Sequence, residues 1–157
     1  MNDNEYMRRV RLMEDRLYRI AQAMLWREAD SVDAVQEAVF RGWLKKDSPS
    51  DDDRLEPWLV RILVNECRDA LRRRKREPAE LVEAITEDDR LCEDLQLRLA
   101  MKQLPEKYRL PLVLHHLEGY RVSEVAQMLR LPGKLVASRL HQARKALRSL
   151  LDGGDEV

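Results

Sequence analysis

An all-α fold is what this sequence predicts, and three observations predict it. Apolar residues recur at helical spacing, as Val10, Met13, Leu17, Ile20 and Met24 near one end and Val136, Leu140, Ala143 and Leu147 near the other. The 157 residues include only five glycines and six prolines, and β-branched residues form few runs, which argues against a sheet. Charge sums to zero but is segregated along the chain, which splits the helices into two groups. The expected architecture is two small helical domains, 1–77 and 94–151, joined by an acidic linker, 78–93, and followed by a short tail, 152–157.

The first helix is expected over about Asn4–Glu28, with Val10 to Met24 as its apolar stripe. Asp30 or Ser31 is suited to cap a second helix that runs to about Lys46. Val32, Val35, Val39 and Trp43 fall on one of its faces, and Asp33, Gln36, Glu37 and Arg41 on the other. The polar stretch Asp47–Asp53, DSPSDDD, reads as a loop. A third helix, about Arg54–Arg76, ends in the run RRRKR. Leu59, Leu63 and Ala70 form its buried side, while Arg61, Asn65, Arg68 and Arg72 form a continuous polar stripe at i, i+4, i+7 and i+11. Pro78 opens the acidic stretch. Beyond it, a helix over about Leu91–Gln103 leads to Pro105, which suits the first turn of the next helix. That helix is expected to stop near Glu118–Gly119, where glycine supplies a left-handed C-cap. A helix-turn-helix then fills about Val122–Leu150.

The last helix carries the most information. Opposite its apolar stripe lie Lys134, Ser138, His141, Gln142, Lys145 and Arg148. A helix buried on one side and lined with hydrogen-bonding and cationic groups on the other has the layout of a DNA-recognition helix. Local charge agrees. Between Arg98 and Leu151 there are eleven bases against three acids, whereas Ala79–Asp94 holds seven acids against Arg90 alone. Basic nucleic-acid-facing units separated by an acidic connector fit that pattern.

Other classes find little support. Cys67 and Cys92 make no close pair and share no ligand spacing with the three histidines, so neither a zinc site nor a disulfide framework is expected. Cys67 reads as a small core residue. His115 and His116 sit where cationic side chains favour a helix dipole and read as structural or phosphate-adjacent rather than as metal ligands. No glycine-rich phosphate loop or nucleophile–base arrangement points to an enzyme, and no cofactor is implied. No apolar run approaches membrane-spanning length and no signal peptide is visible, so a soluble cytoplasmic protein without membrane insertion is expected.

Two motif sets then enter in order. The front half holds ADSVDAVQEAVFRGW at Ala29–Trp43 and PWLVRILVNECRDALRRRKR at Pro57–Arg76. The back half holds LPEKYRLPLVLHHLEGY from Leu104 and SRLHQARKAL from Ser138. Together they resemble the extracytoplasmic-function (ECF) sigma factors of the sigma-70 family, the smallest class of bacterial RNA polymerase specificity subunits, over nearly the whole chain. The resemblance implies a three-helix region 2 in front and a helix-turn-helix region 4 behind.

It also implies partners and roles. The partners are core RNA polymerase, through its clamp helices and flap, promoter DNA, and an anti-sigma factor. Asp33, Gln36, Glu37 and Arg41 lie where the family contacts the clamp, and such groups suit charge-assisted hydrogen bonds to a coiled coil. Arg61, Asn65, Arg68 and Arg72 match the segment that captures the unwound −10 element, where a basic stripe follows phosphates. In the family the loop before this helix receives a flipped base; here it is the acidic Asp47–Asp53, and no base is assigned to it. Trp58 matches the family's core tryptophan. Ser138, His141 and Gln142 are placed at base edges of the −35 element, with Lys134, Arg139, Arg144 and Lys145 nearest phosphates.

The chain departs from the family pattern at the turn. Arg130 stands where glycine is usual, so either Arg130 adopts a left-handed conformation or the turn shifts to use Gly133. Lys134-Leu135-Val136 replaces the usual Gly-Thr-Val, and Ala137 and Gln142 replace two bases. These changes bear on the usual −35 contacts. Two other readings remain open on residues alone: a helix-turn-helix regulator of another class, and a sigma-like polymerase-binding adaptor or antagonist.

Overall fold

The computed structural model describes residues 1–49, 54–76 and 95–152. Among them every regular element is helical: α1 (Asp3–Leu25), α2 (Glu28–Leu44), α3 (Leu55–Arg76), α4 (Leu95–Gln103), α5 (Glu106–Leu112), α6 (Val122–Leu129) and α7 (Gly133–Asp152). A π-helical turn, Val113–Leu117, extends α5. The whole of the acidic linker 78–93, part of the Asp47–Asp53 loop and nearly all of the tail lie outside the described residues.

Local chemistry explains the ends. Asn2 caps α1 by accepting from the Glu5 N–H at 2.8 Å. Trp26 then turns left-handed (φ 58°), so α1 stops three residues before the expected Glu28. The five-residue apolar stripe of α1 is buried as predicted. In α3, Leu59 and Leu63 are buried, Ala70 is half-buried, and Trp58 packs against the same core.

Two expectations for α2 need correction. Neither Asp30 nor Ser31 caps it. The helix starts at Glu28, and Ser31 lies buried inside it, donating to the Arg27 carbonyl at 2.7 Å and bonded to Gln22 Oε1 at 2.8 Å. The buried face is also turned from the valine–tryptophan stripe. It consists of Ser31, Ala34, Val35, Ala38 and Gly42, whereas Val32 and Trp43 are exposed and Val39 is half-buried. Small residues win this face because α2 is clasped closely by α1 and α3. A Cβ on Gly42 would lie 2.5 Å from the Tyr6 hydroxyl oxygen and 2.9 Å from a Leu59 methyl.

In the back half, Arg109 is buried and donates to the Leu104 carbonyl at 2.8 Å, with longer bonds at 3.4 Å to Met101 and Lys102. One guanidinium thereby satisfies the carbonyls left open where α4 ends. Gly119 takes the expected left-handed conformation (φ 80°) after the π-helical turn. Arg130 does so as well (φ 55°), and the Leu131 N–H reaches back to the Ala126 carbonyl at 3.0 Å to close α6. The turn is therefore not shifted to Gly133, which begins α7.

Among the described residues the front and back helices share a core. One buried cluster runs from Tyr6, Leu17, Leu59 and Leu63 in front to Leu114, Tyr120, Val125 and Val136 behind. Trp26 from the end of α1 packs with a second cluster around Met101, Leu104 and Val113, and the Arg98, Lys102 and Arg109 cations surround its ring at 4.8–5.6 Å.

Candidate nucleic-acid interface

The helix-turn-helix presents the face expected of it. In α7, Val136, Leu140 and Ala143 are buried against α5 and α6, which turns Lys134, Ser138, His141, Gln142, Arg144 and Lys145 outward; Arg139 is half-buried at the edge. Glu124 fixes the start of α6 by accepting from the Arg121 N–H at 2.9 Å. Arg144 is engaged from the side: its Nη1 lies 3.1 Å from His116 Nε2. Burial, His115 and the Arg144 charge hold the His116 pKa below its ordinary value, which favours the neutral ring that accepts from arginine. His115 Nδ1 lies 2.8 Å from the Tyr120 carbonyl. Sequence reasoning left out Leu135. It is a large apolar side chain, 37 % exposed, in the first turn of α7 beside Ser138 and Gln142. Its signal was the departure from threonine.

The polar stripe of α3 divides in two. Asn65 and Arg72 are exposed, with Arg72 paired to Asp69. Arg61 and Arg68 point into the seam between the halves. Arg61 donates from Nε and Nη2 to the Gln127 carbonyl, at 3.1 and 2.7 Å, and Arg68 Nε donates to Glu106 Oε1 at 3.0 Å. Desolvation and the nearby Arg130 charge lower the Arg61 pKa. The four residues thus share one helix face, but the back half covers two of them.

On α2, Asp33, Gln36 and Glu37 are exposed together, as their spacing implies. Arg41 is exposed beside them, with its Nε 3.0 Å from Glu37 and 2.8 Å from Glu66. Glu66 is a buried carboxylate that patterning missed. Desolvation is the largest effect raising its pKa, partly offset by Arg41. The rotation of α2 also leaves Phe40 53 % exposed, with its ring 6.3 Å from that of Trp43. These rings and Met7, Val10 and Val39 line a shallow groove between α1 and α2, next to Gln36.

Comparison with known proteins decides the family. Residues 10–77 match the Sigma-70 region 2 model, and residues 94–147 match Sigma-70 region 4. The ECF RNA polymerase sigma factor SigM of Mycobacterium tuberculosis is 32 % identical, over 86 % of this chain and 71 % of that protein. This chain belongs to the ECF sigma factors. SigW of Bacillus subtilis, another ECF RNA polymerase sigma factor, is 28 % identical over 90 % of this chain and 86 % of its own. Among solved structures, the sigma factor RpoE of Bartonella quintana, in complex with the anti-sigma factor NepR, shares the fold. Its TM-score is 0.78 at 22 % identity, over 94 % of this chain and 97 % of that one. CnrH, in complex with the cytosolic domain of CnrY, has a TM-score of 0.76 at 27 % identity, over 97 % of this chain and 90 % of its own.

As a sigma factor, the protein acts with RNA polymerase in promoter recognition and transcription initiation. In this sigma factor the region 2 match contains α2 and α3, and the region 4 match contains α6 and most of α7. Among the described residues, no cluster of His, Cys, Asp and Glu is arranged to hold a metal, and no helix is long and apolar enough to cross a membrane.

Proposed function

We propose that this sigma factor is a dissociable, non-catalytic subunit that divides its work among three surfaces. Asp33, Gln36 and Glu37 on α2 dock on core polymerase, and the exposed Phe40–Trp43 pair adds the apolar contact that such an interface needs. Arg41 acts there by orienting Glu37. Arg61, Asn65, Arg68 and Arg72 follow the phosphates of the unwound −10 strand once they are uncovered. Ser138, His141 and Gln142 read −35 base edges from the major groove, with Lys134, Arg139, Arg144 and Lys145 on phosphates. The domain division at 1–77, 78–93 and 94–151 follows this division of labour. The protein works in the cytoplasm, where core polymerase is. An anti-sigma protein is the proposed restraint, by analogy with the Bartonella complex.

The observation that carries this reading is the outward face of α7, where three hydrogen-bonding side chains without fixed charge are flanked by four cations on one exposed helix. Run-off transcription with purified core polymerase and a library of genomic promoter fragments tests it. Protein-dependent start sites are expected, and they deliver the promoter sequence. Gln142→Ala is expected to relax preference at one −35 position by about 1–3 kcal/mol. Core binding without any new start would replace this reading with the adaptor or antagonist.

A further inference from the structure

Two large apolar side chains are exposed on α7. Leu150 lies at its far end, whereas Leu135 lies in the first turn, among the groups that face outward. A single exposed leucine is ordinary on a protein surface. Its place is what matters here.

The fold does not need this side chain. The Pro132 carbonyl opens α7 by accepting from the Leu135 and Val136 N–H groups, at 3.0 and 3.1 Å. The apolar bracket that fixes the entry of a helix is filled by Leu131 and Val136, which both pack in the main buried cluster. Leu135 belongs to neither buried cluster. Its backbone therefore starts the helix while its side chain is left over.

That side chain shares an edge of the helix with two of the base-reading candidates. At about 100° per residue, Leu135, Ser138 and Gln142 fall within about 60° of one another around the axis. All three are exposed, and the cation of Lys134 stands next to them. A phosphate held by Lys134 would bring base edges to the same side of the helix. Leucine offers those edges no hydrogen bond. Against a base amino group or carbonyl it would strip water and give nothing back. Thymine alone shows the major groove an apolar group, its 5-methyl.

We propose that Leu135 is a specificity-determining residue of the −35 surface, packing its methyl groups on the 5-methyl of a thymine in the major groove. This inference rests on reading α7 as the −35 helix and adds a base to that reading. Leu135 and Gln142 are seven residues apart, about 10 Å along the helix or about three base-pair steps. The thymine is therefore expected within about three base pairs of the position that Gln142 reads.

The test uses holoenzyme assembled from core polymerase and the full-length protein, with a fluorescein-labelled promoter fragment taken from the run-off experiment. Each −35 thymine is replaced in turn by deoxyuridine, which removes the methyl group alone, and fluorescence anisotropy reads the affinity. At one position the replacement is expected to weaken wild-type binding about threefold to fivefold, as loss of one buried methyl implies. Deoxyuridine in the spacer between the two elements should have no effect. Leu135→Ala is expected to bind the thymine fragment as weakly as wild type binds the deoxyuridine fragment, and to lose nothing further on replacement. Its circular dichroism and core binding should equal those of wild type. If no −35 deoxyuridine weakens wild-type binding more than the spacer control does, the proposal is overturned and the sigma assignment stands. The same holds if Leu135→Ala stays as sensitive to the replacement as wild type. Absence of any protein-dependent start site would instead overturn the assignment of the DNA surfaces, and this contact with it.

Discussion

Arg109 belongs to the basic half of the chain, yet its chemistry points inward. At 9 % exposure it spends its guanidinium on carbonyls at the end of α4. Desolvation lowers its pKa, but arginine stays charged, so the bonds it makes are charge-assisted. Arg109→Met leaves these carbonyls unpaired and is expected to cost about 2 kcal/mol, or roughly 4–8 °C in melting temperature. Thermal unfolding followed by circular dichroism checks it; an unchanged midpoint would remove Arg109 from the framework. Cys67 shows the same inward logic. Burial pushes its thiol up to about 12, so it should resist a maleimide reagent until the protein is denatured. At this scale composition says little, because an arginine that caps a helix and one that meets a phosphate look alike in a sequence.

Among the elements, α2 marks the limit of pattern reading. Helical spacing located α1, α3 and α7 with their buried faces, because each has one dominant apolar stripe. In α2 two candidate stripes compete, and size misleads: the larger apolar residues face out, while Ala34, Ala38 and Gly42 face in. The signal was present in the four-residue spacing of small side chains, but only the close approach of α1 and α3 gives it meaning. Gly42→Ala is expected to destabilise by about 1–3 kcal/mol, because the Tyr6 hydroxyl donates to the Val39 carbonyl at 2.7 Å and resists displacement. Chemical denaturation measures the loss. Phe40→Ser, on the exposed face, should leave stability within about 0.5 kcal/mol and weaken core polymerase binding at least about tenfold. Equal affinity for core would place the docking surface elsewhere. The α3 stripe was legible as a stripe, but the residues that meet it were not, since Glu106 and Gln127 lie far from it in sequence.

Considering the whole molecule, charge segregation suggested two groups of helices and an acidic connector that could draw them together, but not which apolar residues join them in one core. Leu114, Tyr120 and Val125 complete a cluster that begins with Tyr6 and Leu17, so neither half buries its apolar surface alone. Calorimetry should therefore record one cooperative transition, with calorimetric and van't Hoff enthalpies in agreement. Two resolved transitions would show that the halves melt independently.

The π-helical turn at Val113–Leu117 bears on how such chains can be compared. Its Glu118 N–H reaches back five residues to the Val113 carbonyl at 2.9 Å, and Tyr120 reaches six, to Leu114, at 3.0 Å. A helix wound in this way has absorbed a surplus residue without breaking. A chain one residue shorter here would run as an ordinary α-helix, and everything after it would arrive about 100° earlier around the axis. A one-residue gap in an alignment at this point is thus a change of phase. It decides whether Glu118 and Tyr120 meet the front half or look away from it, even where every neighbouring letter is the same.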